Sequence, residues 1–433
     1  MSELRRKALT VPGSGKTISR KALSRQSSPA TSRTNSRATS RAASRVNTDD
    51  EAGNSSDEGS IFSSVAGDIE EVDPETGASN WEELLDTSIS RMLENSSKSS
   101  YQIREEALQT YISLLSSRFV KSNIETSKTS IVNACLRSIK HGRTINESLL
   151  AAKAIGLTIV TDPTEEIFDQ VKRFFKQTIT DCENFELKIA LIHQLSAAAY
   201  YGGATLAERE GIMDFFMEII ESDGSACDAT DDAGVVTAAL EEWGFLVTWL
   251  EDAEQITKDG MDALVEQLNS SEVSVQVAAG ENIALLYEMS YTPAEDDEVE
   301  DRLELGTKWV ERYQPYGRKN DLIDTLTQLS LGSKKHLSKK NKKTQKSAFS
   351  DIVLAIQNPL QGPKSSNAMD KEGKAYGSRI KVKMHKTGLL TIDKWWKLLR
   401  LQHLRRLLGG GFLNHWKENP VLFESLNLFA ACR

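Results

Sequence analysis

The chain has 433 residues, of which 39% are hydrophobic and 27% charged, so it is long enough to bury a substantial core. Its four cysteines lie far apart and form no Cys-x-x-Cys pair. This spacing argues against a disulfide framework or a zinc site and indicates a reducing compartment. The sequence lacks the apolar core of a secretory signal at its start and any stretch apolar enough to predict a membrane span.

The formal net charge of −9 is the sum of three blocks of alternating sign. Residues 1–47 carry about 11 lysines and arginines against one acid, and residues 48–333 carry about 21 against 55. Residues 334–433 again carry about 21 against 6. A partner that bears phosphates is therefore expected to meet the two ends of the chain rather than its middle.

Residues 1–78 are predicted to form a disordered Ser/Arg-rich arm, because bulky apolar residues are too sparse to offset the ordering entropy of the backbone. Ser-Arg dipeptides recur through this segment. A soluble basic tail and a phosphorylation-tunable RNA or nuclear-import arm are both open interpretations. Each phosphate would add about −1.5 to −2 charges, which would weaken the positive field of the arm. The candidate phosphorylation sites are Ser36, Ser40 and Ser44.

Catalytic and metal-binding motifs do not stand out in the sequence. The run around Gly15 and Lys16 resembles the end of a P-loop, but Thr10 stands where that loop requires its first glycine, and no strand or helix pattern flanks it. No two histidines are spaced as metal ligands, and His193 is interpreted as a satisfied residue inside an apolar helix. We therefore predict a protein that is not an enzyme and has no cofactor and no metal.

From residue 79 to 331 the apolar residues recur with the 3.6-residue period of helices. Ser79 or Asn80 is expected to cap the first helix, and Asp162 with Pro163 is expected to open a later one. Long helices with short linkers are typical of an armadillo/HEAT-like α-solenoid, with a large globular helical domain as the alternative. The amphipathic segments lie around 81–93, 103–115, 127–140, 146–160, 164–178, 185–200, 206–221, 233–250, 258–268 and 273–289.

An acidic stretch, Thr292 to Glu304, follows the last of these helices. It is interpreted as a solvated loop, and a docking site for a basic partner is the alternative. Next comes a lysine cluster directly before an apolar run at 349–356. Lysines in the first turns of a helix oppose the helix dipole, so they are expected to serve a partner such as RNA or an import receptor. This cluster comprises Lys334, Lys335, Lys339, Lys340, Lys342, Lys343 and Lys346.

Residues 332–433 are predicted to form a small basic C-terminal module. Residues 379–384 alternate with period two and predict a strand with a possible hairpin return. A helix that Thr391 or Asp393 opens and that the glycines at 409–411 end is predicted to follow. Basic residues beside aromatic ones are typical of RNA binding, whereas the tryptophans are interpreted as packing anchors. The further candidate RNA contacts are Arg379, Lys381, Lys383, Lys394, Arg400, Arg405 and Arg406.

Three stretches resemble the interferon-related developmental regulator family: residues 275–288, residues 333–356, and the module from Lys381 to Leu426 with its IDKWWKLLRLQHLRRLLGGGF core. The resemblance extends over about residues 80–430. It implies an armadillo-like helical fold without catalysis. It also implies binding to ribosomes so that they are held translationally inactive, or nuclear co-regulation of transcription through protein contacts.

These implications complete the expected division of the chain: a disordered arm (1–78), a helical repeat domain (79–331) and a basic module (332–433). The expected partners are ribosomal RNA and ribosomal proteins, and nuclear protein complexes are the alternative. Cytoplasmic and nuclear localisation is expected. Membranes and small-molecule substrates are not expected as partners.

Overall fold

The computed structural model describes residues 80–94, 100–294, 309–331, 339–369, 375–378, 380–384 and 388–426. The predicted arm with Ser36, Ser40 and Ser44 lies outside these residues, as does most of the acidic stretch. The fold is built almost entirely from helices, which confirms the all-α prediction. No helix among the described residues is long and apolar enough to cross a membrane.

The helices up to residue 289 follow the predicted segments closely, except that the short helix Lys121–Ile124 is not predicted. The helix Lys319–Leu331 also lies outside the predicted segments. The repeat helices are α1 (Trp81–Leu93), α2 (Tyr101–Ser117), α3 (Lys121–Ile124), α4 (Lys128–His141), α5 (Ile145–Thr161), α6 (Glu165–Asp181), α7 (Phe185–Tyr201), α8 (Leu206–Glu221), α9 (Ala233–Val247), α10 (Glu254–Gln267), α11 (Val273–Met289), α12 (Lys319–Leu331) and α13 (Lys339–Gln357). The C-terminal helices are α14 (Trp395–Leu408), α15 (Phe412–Glu418) and α16 (Pro420–Ser425).

Two rows of helices make the solenoid. In the inner row α2, α5, α7, α9, α11 and α13 each pack against the next. The outer helices α1, α4, α6, α8, α10 and α12 each pack mainly on the inner helix that follows them in the chain, so the repeats are helix pairs. Each repeat therefore contacts mainly the repeats before and after it. This is the packing of an α-solenoid and confirms the armadillo/HEAT-like prediction.

The two rows differ in their apolar pattern. Outer helix α6 buries one stripe that includes Phe168, Val171 and Phe175 and leaves charged residues on its other face. Inner helix α9 is buried from Val235 to Val247 without interruption, including Glu241 and Glu242. A helix that is buried all round must be covered on both sides. In this protein the second cover is the C-terminal helix α14, which packs against α9 and α11.

Side-chain caps fix several helix starts, but the predicted caps differ from the structure. Asn80 stands at the N-cap position of α1 without a side-chain capping hydrogen bond, and Asp162 does not cap α6. Thr205 and Glu208 form a capping box at α8, and Thr144 caps α5. Asp162 instead follows the end of α5, and helix α6 begins only at Glu165 behind Thr164. The carboxylate of Asp162 is buried between two lysines of the α3–α4 region, so its role is an ion pair.

Among the described residues, the strands form three short antiparallel pairs. Strand β1 (Tyr291–Pro293) pairs with β2 (Trp309–Glu311), and β3 (Ser365–Met369) pairs with β4 (Ala375–Ser378). Strand β5 (Lys381–Met384) pairs with β6 (Gly388–Thr391) with Lys381 opposite Thr391, which confirms the predicted hairpin. The first two strand pairs contain too few alternating residues to be recognised in the sequence.

Candidate functional site

Helix α14 lies across the inner row and contacts α2, α5, α9 and α11. Its apolar face is buried by these helices, with Trp395, Leu404 and Leu407 almost inaccessible. Helices α15 and α16 continue this contact: Asn414 donates to the carbonyl of Ser117 (3.0 Å) and Asn419 to that of Val160 (2.8 Å). The C-terminal segment is therefore packed on the helical repeats along its length.

The carboxylate of Glu242 is the centre of this contact. It is fully buried on α9, and its oxygens lie 2.7 Å from His193 Nδ1 and 2.8 Å from His403 Nδ1. Arg406 of α14 donates to Glu242 over 2.8 Å and also pairs with Glu241 over 3.0 Å. Ser196 Oγ donates to the same carboxylate. One buried acid thus joins side chains from α7, α9 and α14.

The protonation states in this cluster follow from burial and charge. Burial alone would raise the pKa of Glu242, but His403, Arg406 and the hydrogen bonds hold this pKa well below its usual range. Burial lowers the pKa of His403 although Glu242 acts in the opposite direction. Glu242 is therefore ionised, His403 is neutral, and the ring nitrogen that faces the carboxylate carries the proton.

Among the described residues, one group has the composition of a metal site: His193, Glu241 and Glu242, whose ligand atoms all lie within 4.8 Å of one another. The guanidinium of Arg406 contacts both carboxylates, so the positive charge that two buried acids require is supplied by the chain itself. A metal ion would have to displace this arginine. The geometry fits a buried ion-pair network and does not fit a metal centre.

Two acids of α11, Glu281 and Glu288, also bind helix α14. Glu288 accepts hydrogen bonds from the backbone N–H groups of Trp395 (2.9 Å) and Trp396 (3.3 Å) and so caps the start of α14 from another helix. Glu281 accepts from Gln402 over 3.2 Å. Burial raises the pKa of each of these glutamates to about 7, because the polar partners only partly replace water.

Glu288 should make the docking of α14 sensitive to pH. Its pKa of about 7 in the fold lies above the ordinary 4.5, so the folded state favours the protonated form of Glu288. This form stabilises the fold, and its contribution is complete below about pH 4.5. This contribution is lost as the pH rises through 7. Glu288→Gln cannot ionise and should therefore gain about 1–3 kcal/mol over the wild type between pH 5 and pH 8. Urea unfolding at both pH values measures this difference.

Glu272→Gln is the matched control for that experiment. Glu272 is an exposed acid that precedes the same helix, α11, and its replacement should change stability by less than about 0.5 kcal/mol. A difference between Glu288→Gln and the wild type that stays constant from pH 5 to pH 8 would show that Glu288 does not titrate in this range.

The structure places the candidate RNA-binding residues in different environments. Arg405 and Lys346 are exposed, Lys342 is half-buried, and Lys394 lies 4.9 Å over the ring of Trp309. Arg400 donates to Thr248 Oγ1 (2.9 Å) and to the carbonyl of Ser425 (2.7 Å). Side chains of Lys339, Lys340, Lys343, Lys381 and Lys383 are not described, and Lys334, Lys335 and Arg379 lie outside the described residues.

Arg400 and Arg406 were assigned to RNA because they look like the other cations of α14, yet both bind within the chain. Their contact with RNA stays a prediction, and it would compete with these internal hydrogen bonds. Conversely, Glu242 and His403 join α9 to α14 by a hydrogen bond and were not singled out in the sequence. The only signal was two adjacent acids, Glu241 and Glu242, inside an otherwise apolar run. His193 has the hydrogen bond expected of a satisfied residue.

Comparisons with known proteins place the chain in a family. The family model described as Interferon-related developmental regulator (IFRD) matches residues 47–357, which end with α13. An uncharacterized protein of Schizosaccharomyces pombe is 26% identical over 370 residues, covering 84% of this chain and 78% of the relative. Interferon-related developmental regulator 2 of Mus musculus is 24% identical over 395 residues (86% and 80%). Interferon-related developmental regulator 1 of Sus scrofa is 22% identical over 372 residues (83% and 74%).

Proposed function

This chain belongs to the interferon-related developmental regulator family, and from that premise we propose that it binds ribosomes through ribosomal RNA and helps to hold them translationally inactive. The family's name describes regulators, and we propose a regulator that acts by binding and not by catalysis. The buried acids and histidines of the chain are consistent with this, since Glu242 and His403 serve the contact between α9 and α14.

The observation that carries the proposal is the charge of the C-terminal segment. Residues 334–433 hold about 21 lysines and arginines against 6 acids. Two of these cations, Arg400 and Arg406, are bound within the chain, but Arg405, Lys346 and Lys417 are exposed. Ribosomal RNA offers dense phosphate to such a surface, and each neutralised phosphate releases counterions.

The acidic outer helices add a second surface of opposite sign. Helices α6, α8 and α10 expose many carboxylates and few cations; the exposed cations of these helices are Arg173 and Lys258. Ribosomal proteins are mostly basic and are the natural partners of this face. We propose that the basic C-terminal segment contacts ribosomal RNA while the acidic outer helices contact ribosomal proteins.

Sedimentation through a sucrose gradient tests the proposal. The full chain should migrate with ribosomes, release them after RNase treatment, and bind less as the salt concentration rises. Lys346→Glu/Arg405→Glu should bind ribosomes at least about tenfold more weakly and reduce the salt dependence, because at least two phosphate contacts are lost. Quantitative blotting of the gradient fractions gives both quantities.

Arg137→Glu/Lys140→Glu is the matched control. Both residues are exposed on α4, outside the basic C-terminal segment and outside the acidic face of α6, α8 and α10, so the variant makes the same change in net charge and should migrate with ribosomes as the wild type does. If the full chain stays at the top of the gradient in growing and in starved cells, the ribosomal proposal fails. RNase-resistant association with nuclear proteins would then favour the alternative, a scaffold for transcriptional co-regulation.

A further inference from the structure

Five side chains from four helical regions form two neighbouring groups of aromatic rings and guanidinium groups. In the first, Arg209 of α8 lies with its Cζ atom 3.8 Å from the ring centroid of Trp249. In the second, the Cζ atom of Arg400 lies 5.4 Å from the ring centroid of Tyr200 and 4.7 Å from that of Trp396. Arg209 is hydrogen-bonded to the carbonyl of the residue before Tyr200, so the two groups adjoin and are together called the Trp–Arg row.

Hydrogen bonds fix the two arginines of the row. Arg209 donates through Nε to the carbonyl of Ala199 (3.0 Å), the residue before Tyr200. Arg400 donates to both the hydroxyl and the carbonyl of Thr248, the residue before Trp249. The positions of the rings are therefore set before any ligand arrives, so ordering them on binding would cost little conformational entropy.

The two ends of the row are accessible while its middle is covered. Trp249 has 37% of its surface exposed although Arg209 covers one part of its ring. Trp396 is also partly exposed, whereas Tyr200 stacks on Phe245 with centroids 4.5 Å apart. Accessible indole rings held by cations are platforms on which a further flat group can stack.

The charges around the row select the ligand. At the Trp396 end, Lys394 lies over Trp309 and Lys397 lies 5.5 Å from the ring of Trp396, so phosphates are attracted there. One acid, Asp393, pairs with Lys397 in this region. At the other end the exposed Asp252 lies three residues beyond Trp249. A group that reaches Trp249 should therefore be uncharged and flat, as a nucleobase is.

We propose that the Trp–Arg row is a binding site for single-stranded RNA, in which unpaired bases stack on Trp249 and Trp396 while Lys394 and Lys397 contact the phosphates. The inference rests on the proposed function and names the form of RNA that the C-terminal region recognises. Stacking suits single strands because the bases of a duplex are already stacked on each other. Structured RNA would instead meet the exposed cations Lys346 and Arg405.

Fluorescence anisotropy with the full chain tests the site. The probes are a labelled single-stranded RNA of about a dozen nucleotides and a duplex of the same sequence. Trp249→Leu should weaken binding of the single strand about 5- to 150-fold and leave the duplex unchanged, whereas Trp249→Phe should retain most of the affinity. Comparing Leu with Phe separates stacking from the loss of side-chain volume.

Phe185→Leu is the matched control, because Phe185 is 41% exposed and lies about 23 Å from Tyr200 at the other end of α7. It should bind both RNAs as the wild type does. The site is refuted if Trp249→Leu keeps wild-type affinity for the single strand or loses affinity for both RNAs equally. Circular dichroism of each variant excludes loss of fold as the cause.

The outcomes separate this inference from the proposed function. If the wild type and Trp249→Leu both migrate with ribosomes and bind the single strand equally, the row is a structural contact and the ribosomal proposal stands. If the wild type does not migrate with ribosomes, the proposed function fails whatever Trp249 does.

Discussion

A chain that ends after Lys394 should lose the cooperative unfolding of the full protein and bind dyes that report exposed apolar surface. The truncation removes α14, α15 and α16 and uncovers the inner row, including Phe245, which stacks on His403 with ring centroids 3.7 Å apart. Each buried leucine of α14 is worth about 1.5–3 kcal/mol, so the loss approaches the whole stability of a typical domain, about 5–15 kcal/mol. Thermal unfolding and dye fluorescence measure it.

A chain that ends after Leu426 is the control, because it keeps every described residue of the C-terminal segment. It should unfold as the full protein does. If the chain that ends after Lys394 remained soluble and unfolded at the same temperature, the packing of α14, α15 and α16 on the inner row would contribute little to the stability of the repeats.

Replacing Glu242 by leucine should lower the free energy of unfolding by about 3–5 kcal/mol, because it leaves the partly buried Arg406 without one of its two carboxylate partners. His193, His403 and Ser196 lose their acceptor in the same step. The double variant Glu242→Leu/Arg406→Leu removes both charges and should recover a large part of the loss. Urea unfolding of the two single variants and the double variant gives the coupling energy.

Glu266→Leu provides the comparison, because Glu266 is an exposed acid on α10 and its loss should change stability by less than about 0.5 kcal/mol. Equal losses for Glu242→Leu and the double variant would mean that the two side chains are not energetically coupled. In that case the contact between α9 and α14 would depend on apolar packing alone.

The docked helix also gives a physical reason for the unusual polarity of the inner row. Glu242, Glu281 and Glu288 lie on helices that are otherwise apolar, and each would be costly to bury alone. Each one accepts a hydrogen bond from a side chain or backbone group of α14. These acids therefore specify where α14 docks and in which register, in addition to any stability that they contribute.

The local elements of this fold could be predicted from the sequence. The 3.6-residue apolar period located the long repeat helices up to residue 289 within a few residues, and the alternation in residues 379–384 located the hairpin of β5 and β6. These features depend on neighbours three or four positions away along the chain, and such neighbours are visible in the sequence. The end of α14 at Gly409 could also be predicted, because helices often end at a glycine with a positive φ, and Gly409 has a φ of 56°.

Which groups the charged side chains contact was decided only by the tertiary structure. In the sequence Arg405 and Arg406 are adjacent and alike, yet Arg405 points to solvent and Arg406 to Glu241 and Glu242, 164 positions away from Glu242. Local pattern shows which residues share a helix face, but not what covers that face. Because pairing with Glu242 requires α14 to fold back onto α9, the role of Arg406 depends on a long-range contact that no local period encodes.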